Sequence, residues 1–349
     1  MKRILLTMFA LGCLVVAKAQ NDVAVATLQH GDAVSVFKGP SALSSALDAA
    51  SSGDVITLSQ GTFNAAPITK SVSIYGMGFE EDATNGTLKT VINGDLNIGI
   101  ANGTCSGIHL EGLYLNNSMY LGTSVFEPNT SLTNLTVVKV YARTTTYINA
   151  NTDDIFFDQC ILANGFFSSP STSINYKAAN LYLKNCYLYG QLRNFKLTDN
   201  NIKLDYCIFN TAANANVFQD TACPITMFSS IFGNNYACWF PEGSNLQYCL
   251  SNKNEIITKS KNPGYNTCYT TNTSAWLGIF TDNNENATYS QTRTYELQQS
   301  TVWVDDKGNQ IGINGGDGWS KVPSTPVVKS LSVMPSGTNL NVRYEAEVR

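Results

Sequence analysis

The amino-acid sequence predicts an all-β fold, a single-stranded parallel β-helix with coils of about 22 residues. Three observations predict it. One short pattern recurs seven times at a nearly constant interval, each copy alternates apolar and polar residues with a period of two, and no copy has the three-and-four apolar spacing of a helix. The pattern is plainest in DIFFDQCILAN (Asp154–Asn164), NLYLKNCYLYG (Asn180–Gly190) and NIKLDYCIFNT (Asn201–Thr211).

The chain opens with MKRILLTMFALGCLVVAKAQ: two basic residues, an apolar run from Ile4 to Val16, and Ala17-Lys18-Ala19 ahead of Gln20. These are the three parts of a secretory signal, so residues 1–19 are expected to be removed and the protein to be secreted or held at the cell surface. Cys13 as a lipidated cysteine is the alternative, but cleavage there would cut through the apolar run. No later apolar run reaches the ~20 residues of a membrane span. With 22 Lys and Arg against 26 Asp and Glu, the net charge is −4 and no basic patch is visible, which argues against a nucleic-acid partner.

Aligned on one inward position, the copies centre on Leu113, Val140, Cys160, Cys186, Cys207, Ser230 and Cys249, at gaps of 27, 20, 26, 21, 23 and 19 residues. The residues five and three places before are apolar in nearly every copy, as in Ile155 and Phe157 or Leu181 and Leu183. A two-residue bend follows, and then the aligned residue and the one two later are apolar again. Each copy therefore reads as strand, bend, strand, with coils stacked about 4.8 Å apart. A β-sandwich of hairpins is the alternative, but it would place Asn-Gly or Asp-Gly turns between strands. Cys160, Cys186 and Cys207 are expected in one interior column as free thiols, because stacked side chains point in parallel and do not face one another as a disulfide requires. Cys105, Cys223, Cys238 and Cys268 lie off that column, and spacing does not pair them.

The segment SALSSALDAASSGDVITLSQGTF (Ser41–Phe63), followed by ITKSVSIYGMG (Ile68–Gly78), resembles the N-terminal cap and first coils of the pectate-lyase-like right-handed parallel β-helix superfamily. Ser41 is expected to cap a short helix whose Leu43, Ala46, Leu47 and Ala50 close the open end of the stack, with Val55–Leu58 as the first strand. YELQQSTVWVDDKGNQIGINGG (Tyr295–Gly316) resembles a closing coil of such exported proteins. KSLSVM and NLNVRYEAEV, on either side of Pro-Ser-Gly-Thr, read as a strand pair, giving a β-helix over 20–321 and a C-terminal tail over 322–349.

The superfamily includes lyases and hydrolases of acidic polysaccharides as well as adhesive surface proteins, so activity is sought residue by residue. NTDDIFFDQC (Asn151–Cys160) resembles the Asn-Thr-Asp element of polygalacturonases, which makes Asp153 and Asp154 the acid and base candidates. The family's histidine element is missing, because the two histidines, His30 and His109, lie upstream. The other reading of this stretch is a polar turn feeding a strand. A lyase would need an Arg or Lys base, for which Arg193 and Lys196 are candidates, and Ca2+ as a cofactor. Otherwise the sequence calls for no cofactor and no metal site. Asp158, Lys184 and Asp205 share one column and read as a charge ladder across coils. The acidic groups Glu80-Glu81-Asp82, 282–285 and Asp305-Asp306 read as solvated turns.

The position after the aligned one points outward, yet it carries Tyr114, Tyr141, Ile161, Tyr187, Ile208, Ile231 and Leu250. Such a column would offer a stripe for sugar rings or a partner chain, unless a loop or the C-terminal tail covers it. The long gaps are expected to hold loops around Ser118–Asn134 and Gly165–Ala179, with Tyr120, Phe126, Phe166, Phe167 and Tyr176. The candidate ligand contacts are Tyr114, Tyr141, Tyr187, Arg143, Arg193, Phe166 and Phe167. The reading favoured is a non-catalytic exported β-helix that binds a polysaccharide, a surface glycan or a surface protein. A polysaccharide lyase or glycoside hydrolase is the first alternative and a structural surface component the second.

Overall fold

A computed structural model describes residues 24–81, 88–168, 174–210, 217–233, 240–251, 267–271, 278–282, 289–322, 327–336 and 339–347. The signal segment and Cys238 lie outside these residues, as do the side chains of Phe167 and of the tail.

The chain is a β-solenoid of parallel coils with three faces. The first face is an 11-stranded sheet that includes Thr104–Glu111, Ser131–Val138, Asn151–Asp158, Leu181–Lys184, Ile202–Asp205, Ile225–Phe228 and Asn245–Gln247. The second is a 10-stranded sheet of short strands, among them Tyr114–Leu115, Tyr141–Ala142, Ile161–Leu162 and Tyr187–Tyr189. The third face, with five strands, corrects the expectation of loops in the long gaps: Met119–Gly122 and Phe166–Ser168 pair there with Thr146–Asn149.

The bend between the first and second faces is one residue in the left-handed region, repeated at Gly112, Lys139, Gln159, Asn185, Tyr206, Ser229 and Tyr248, with φ from 47° to 69°. Six of the seven carry a Cβ, and the left-handed conformation costs such a residue about 1–2 kcal/mol. The hydrogen-bond ladder offsets that cost, because the corner N–H still reaches the next coil: Gln159 N–H donates to Lys184 O at 3.0 Å and Asn185 N–H to Asp205 O at 3.0 Å. Immediately inside the corner lies the thiol column, which Cys268, expected off it, joins in register with Cys249. Cys160, Cys186, Cys207 and Cys249 are buried and free, and each S–H points at a carbonyl of the preceding coil, Cys160 at Val137 O (3.3 Å) and Cys207 at Leu183 O (3.5 Å). Ser230, the polar member, donates its hydroxyl to Phe228 O (2.9 Å) and accepts from Cys207 N–H (3.0 Å). Small size and a donor for the corner carbonyl together explain why Cys or Ser recurs there.

At the N-terminal end, Ala42–Ala49 is helical, and Leu43, Ala46 and Leu47 close the stack with Ala50 as expected. Ser41 occupies the capping position without a side-chain hydrogen bond, so its predicted cap is corrected. A hairpin of Val25–His30 and Ala33–Lys38, not foreseen in the sequence, precedes the helix and extends the first face. The tail forms the expected antiparallel pair, Val327–Ser336 with Asn339–Glu347.

Tyr295–Gly316 is not a closing coil. Residues 289–322 instead form a strap that runs back along the outside of the solenoid, bonding to one corner residue after another. Gly312 N–H donates to Ser229 O (2.7 Å), Asn185 Nδ2 to Ile313 O and Gly315 O (2.7 and 2.8 Å), Ser320 N–H to Gln159 Oε1 (2.7 Å), and Lys139 Nζ to Val322 O (2.6 Å). The strap thus travels against the coil order, using side chains that the left-handed corners turn outward.

Candidate functional site

The outward column of the second face is in register as predicted, from Tyr114 through Tyr141, Ile161, Tyr187, Ile208 and Ile231 to Leu250. It is not open to solvent over its length. Ile161, Tyr187, Ile208, Ile231 and Leu250 are buried in a second hydrophobic cluster with Ile279, Phe280, Tyr295, Leu297, Trp303, Ile311 and Ile313. Tyr187 is 1% exposed, its ring centroid is 5.2 Å from that of Tyr295, and its hydroxyl accepts a bond from Asn210 Nδ2 at 2.8 Å. Tyr114 and Tyr141 are half-buried, Tyr141 packing edge-on against Tyr289 at 5.7 Å. The physical reason is that an apolar outward column is expensive to leave wet, and the strap supplies the apolar partner. The covered-column alternative is the one the structure adopts.

Of the acidic groups read as solvated turns, Glu80, Asp282 and Asp305 serve this strap, while Asp82 and 283–285 lie outside the described residues. Asp282 holds Arg293 through two bonds (2.6 and 3.0 Å), Glu80 meets Lys321 at 3.2 Å and accepts from Tyr289, and Asp305 receives the N–H groups of Lys307 and Asn309 along with the Tyr206 hydroxyl. The predicted ladder is corrected likewise. Asp158, Lys184 and Asp205 share a column, but Lys184 pairs with Asp317 of the strap and Asp205 with Lys203 at 2.8 Å.

The other candidates are scattered. Phe166 is fully buried in the core, so it is corrected from contact residue to packing residue. Tyr176 is buried, its hydroxyl donating to Glu127 O at 3.1 Å. Phe167 and Arg193 are register partners on the third face, whose column continues through Tyr147 and Tyr120. Tyr120 and Tyr147 stack at 5.0 Å and 16°, each covering the other's ring face. Arg143 is exposed and donates to Asn116 Oδ1 at 2.7 Å. Asp153 and Asp154 lie on the first face, Arg193 on the third, and Lys196 beyond Arg193, so the four catalytic candidates are not brought to one place.

Among the described residues, a concave surface remains open on the first face. Asn134 and Asp154 sit mid-strand in the left-handed region (φ 51° and 52°), stacked in line with Gly107 (φ 72°). Beside Asn134 and Asp154 lies a groove of about 610 Å³. Asn134, Asp154, Asn180 and Asn201 rim it, with Phe156, Tyr182 and Lys203 on its floor. A second hollow of about 280 Å³ begins at Lys203 and continues past Thr226 to Asn245.

The rim is a polar ladder along the solenoid axis. Asn201 Nδ2 donates to Asn180 Oδ1 (3.0 Å), and Asn180 Nδ2 donates to Asp153 Oδ1 (2.7 Å), which also accepts Asp154 N–H (3.0 Å). Asp153 is thereby engaged in the ladder from within the strand Asn151–Asp158, where the sequence suggests a polar turn, while Asp154 is exposed on the rim. Each amide carries more donors and acceptors than this ladder uses.

On the floor, Phe156 and Tyr182 lie 5.1 Å apart at 30°, and Lys203 Nζ stands 4.7 Å above the Tyr182 ring. The Tyr182 hydroxyl donates to Asp205 Oδ2 at 2.7 Å, the same oxygen that Lys203 meets. Burial pushes the Tyr182 hydroxyl up, and the carboxylate it donates to pushes the same way, so it is a neutral donor at physiological pH. Among the described residues, no three His, Cys, Asp or Glu side chains converge in a way that would hold a metal ion. This groove was readable in part. The alternation that turns Ile155 and Phe157 inward turns Phe156 outward, and Tyr182 and Lys203 occupy the same place in the next coils. No family model matches the chain, and neither a curated protein nor a solved structure matches it.

Proposed function

We propose that the protein is an exported β-helix that binds an elongated ligand, a polysaccharide or surface glycan, along the first-face groove without cleaving it. The observation that carries this reading is the groove itself: an aromatic floor of Phe156 and Tyr182 beside one amide-rich rim, repeating at the coil spacing and running along the axis. Binding sites of this kind combine apolar surface with a few placed polar groups. The resemblance of Ser41–Gly78 to the cap of the pectate-lyase-like superfamily, and the secretory character of residues 1–19, support the same reading. Against catalysis stand the engagement of Asp153 in the ladder and the separation of Arg193 and Lys196 from Asp154. Exposed Asp154 on the rim is what favours the second reading, an enzyme acting on acidic polysaccharide.

The test is to incubate the chain starting at Gln20 with uronic-acid and neutral polysaccharides, with and without Ca2+, following unsaturated products, reducing ends and retention on immobilised glycans. Retention without new ends is expected. New ends would replace the proposal with the enzyme reading and point to Asp154, and neither signal would point to a structural role with a protein partner.

A further inference from the structure

Among the described residues, the first face begins at an uncovered edge. Ala33–Lys38 is the terminal strand of the 11-stranded sheet, paired on one side only, with Val25–His30. Five of its six residues are exposed, Val34 at 61% and Val36 at 56%. A bare edge of this kind invites another strand unless something blocks it.

Which backbone groups face outward follows from the hairpin. His30 and Ala33 close a two-residue turn, and Gly39 N–H bonds to Ala24 O at 2.7 Å, so the odd-numbered residues of the strand bond inward to the hairpin. Val34, Val36 and Lys38 therefore turn their N–H and C=O groups to the open side. The side chains of Val34, Val36 and Lys38, preceded by Asp32 in the turn, alternate onto the outer surface. Asp32 and Lys38 are exposed, and neither forms an ion pair among the described residues.

Read in the opposite direction, D-A-V-S-V-F-K is its own complement. An antiparallel copy centred on Ser35 sets Val34 against Val36, Val36 against Val34, and Asp32 against Lys38 at both ends. The outward-facing residues are the even-numbered ones, and in this register they meet even-numbered residues, so the hydrogen bonds form without a shift. Moving the copy by two residues would set Val34 against Lys38 and lose both ion pairs.

We propose that Ala33–Lys38 pairs antiparallel with the same strand of a second copy of this chain, joining two solenoids head to head through one continuous sheet. The contact is isologous, so it closes at two copies and does not propagate. A six-residue strand pair buries less than the roughly 1,000 Å² of a permanent interface, so association is weak and concentration-dependent. Directly opposed antiparallel residues share a face. The two first-face grooves therefore open to the same side, and a repetitive ligand could engage both, a consequence that rests on the binding reading, whereas the dimer does not.

The experiment is sedimentation equilibrium of the chain starting at Gln20, without ligand, from low to high micromolar concentration, on wild type, Asp32→Lys, Lys38→Asp and the double exchange. Concentration-dependent dimers are expected. Each single exchange sets like charges opposite one another and should weaken association tenfold or more, and the double exchange should restore it. A second variant, Val36→Pro, removes an outward N–H the hairpin does not use, and should abolish the dimer while the coils keep their circular dichroism. A monomer throughout the range, or dimers indifferent to the single exchanges, overturns the proposal. Glycan retention by a strictly monomeric protein would sink the dimer and leave the binding reading standing.

Discussion

Replacing Asn185 tests whether the corner side chains hold the strap. Asn185 is 1% exposed and its Nδ2 supplies a donor to both Ile313 O and Gly315 O. Removing a donor from a buried carbonyl costs about 1–3 kcal/mol, so the loss of both, moderated by water entering at the strap, comes to about 2–4 kcal/mol. Alanine adds a backbone cost, because φ is 47° and asparagine tolerates that region better than alanine. Asn185→Gly loses the same two bonds without the steric cost, so the alanine variant should be worse by about 1 kcal/mol. The assay is native-state hydrogen exchange by mass spectrometry, comparing peptides from the strap (303–322) with peptides from the coils (155–189). At about 1.4 kcal/mol per decade, strap amides should exchange roughly 30- to 1,000-fold faster, with the coil peptides changed far less. Wild-type exchange of the strap in both variants would refute the reasoning. So would equal acceleration of strap and coils, since Asn185 would then act on the coil and not on what it holds down.

Asp158 lies beneath the strap with Gln159, Lys184, Asp317 and Cys186 around it, and burial raises its carboxyl to about 6. A carboxyl raised in the fold holds its proton more readily than in the unfolded chain, so its contribution is full below the unfolded value of 3.8 and is lost as pH rises through about 6. Asp158→Asn should therefore flatten the decline in stability between those values and be more stable than wild type at neutral pH, as read by urea unfolding across that range. Tyr182→Ala should weaken glycan retention several-fold while keeping the fold, whereas Tyr187→Ala, cut from the buried cluster, should cost about 3–5 kcal/mol in urea unfolding; the opposite pattern would return the site to the second face. The thiols of Cys160 and Cys207 are pushed up by burial, so they should resist a thiol reagent in the native chain and react once it is unfolded, with mass spectrometry of the labelled peptides as the check.

How much was legible differs from residue to residue. Leu113, Val140 and the cysteines mark the inward column because each coil's interior imposes its own period of two, a local constraint that every copy obeys. The Tyr114-to-Leu250 column was legible as outward and apolar for the same reason. Its fate was not, because the residues that bury it lie far along the chain: Asn185 bonds Ile313 across 128 residues and Tyr289 reaches Glu80 across 209. Phe166 escapes the repeat because the recurring pattern marks only two strands per coil, and the third face restarts the count.

The repeat, the interior columns, the capping helix and the β-rich class follow from periodicity along the chain, since each coil solves the same packing problem with the next. The strap, the open first-face groove and the free edge at Ala33–Lys38 were decided by tertiary structure. Alternation states which side chains leave the core, but only the competition among distant segments for apolar surface determines which of them are then covered and which stay open along the first face.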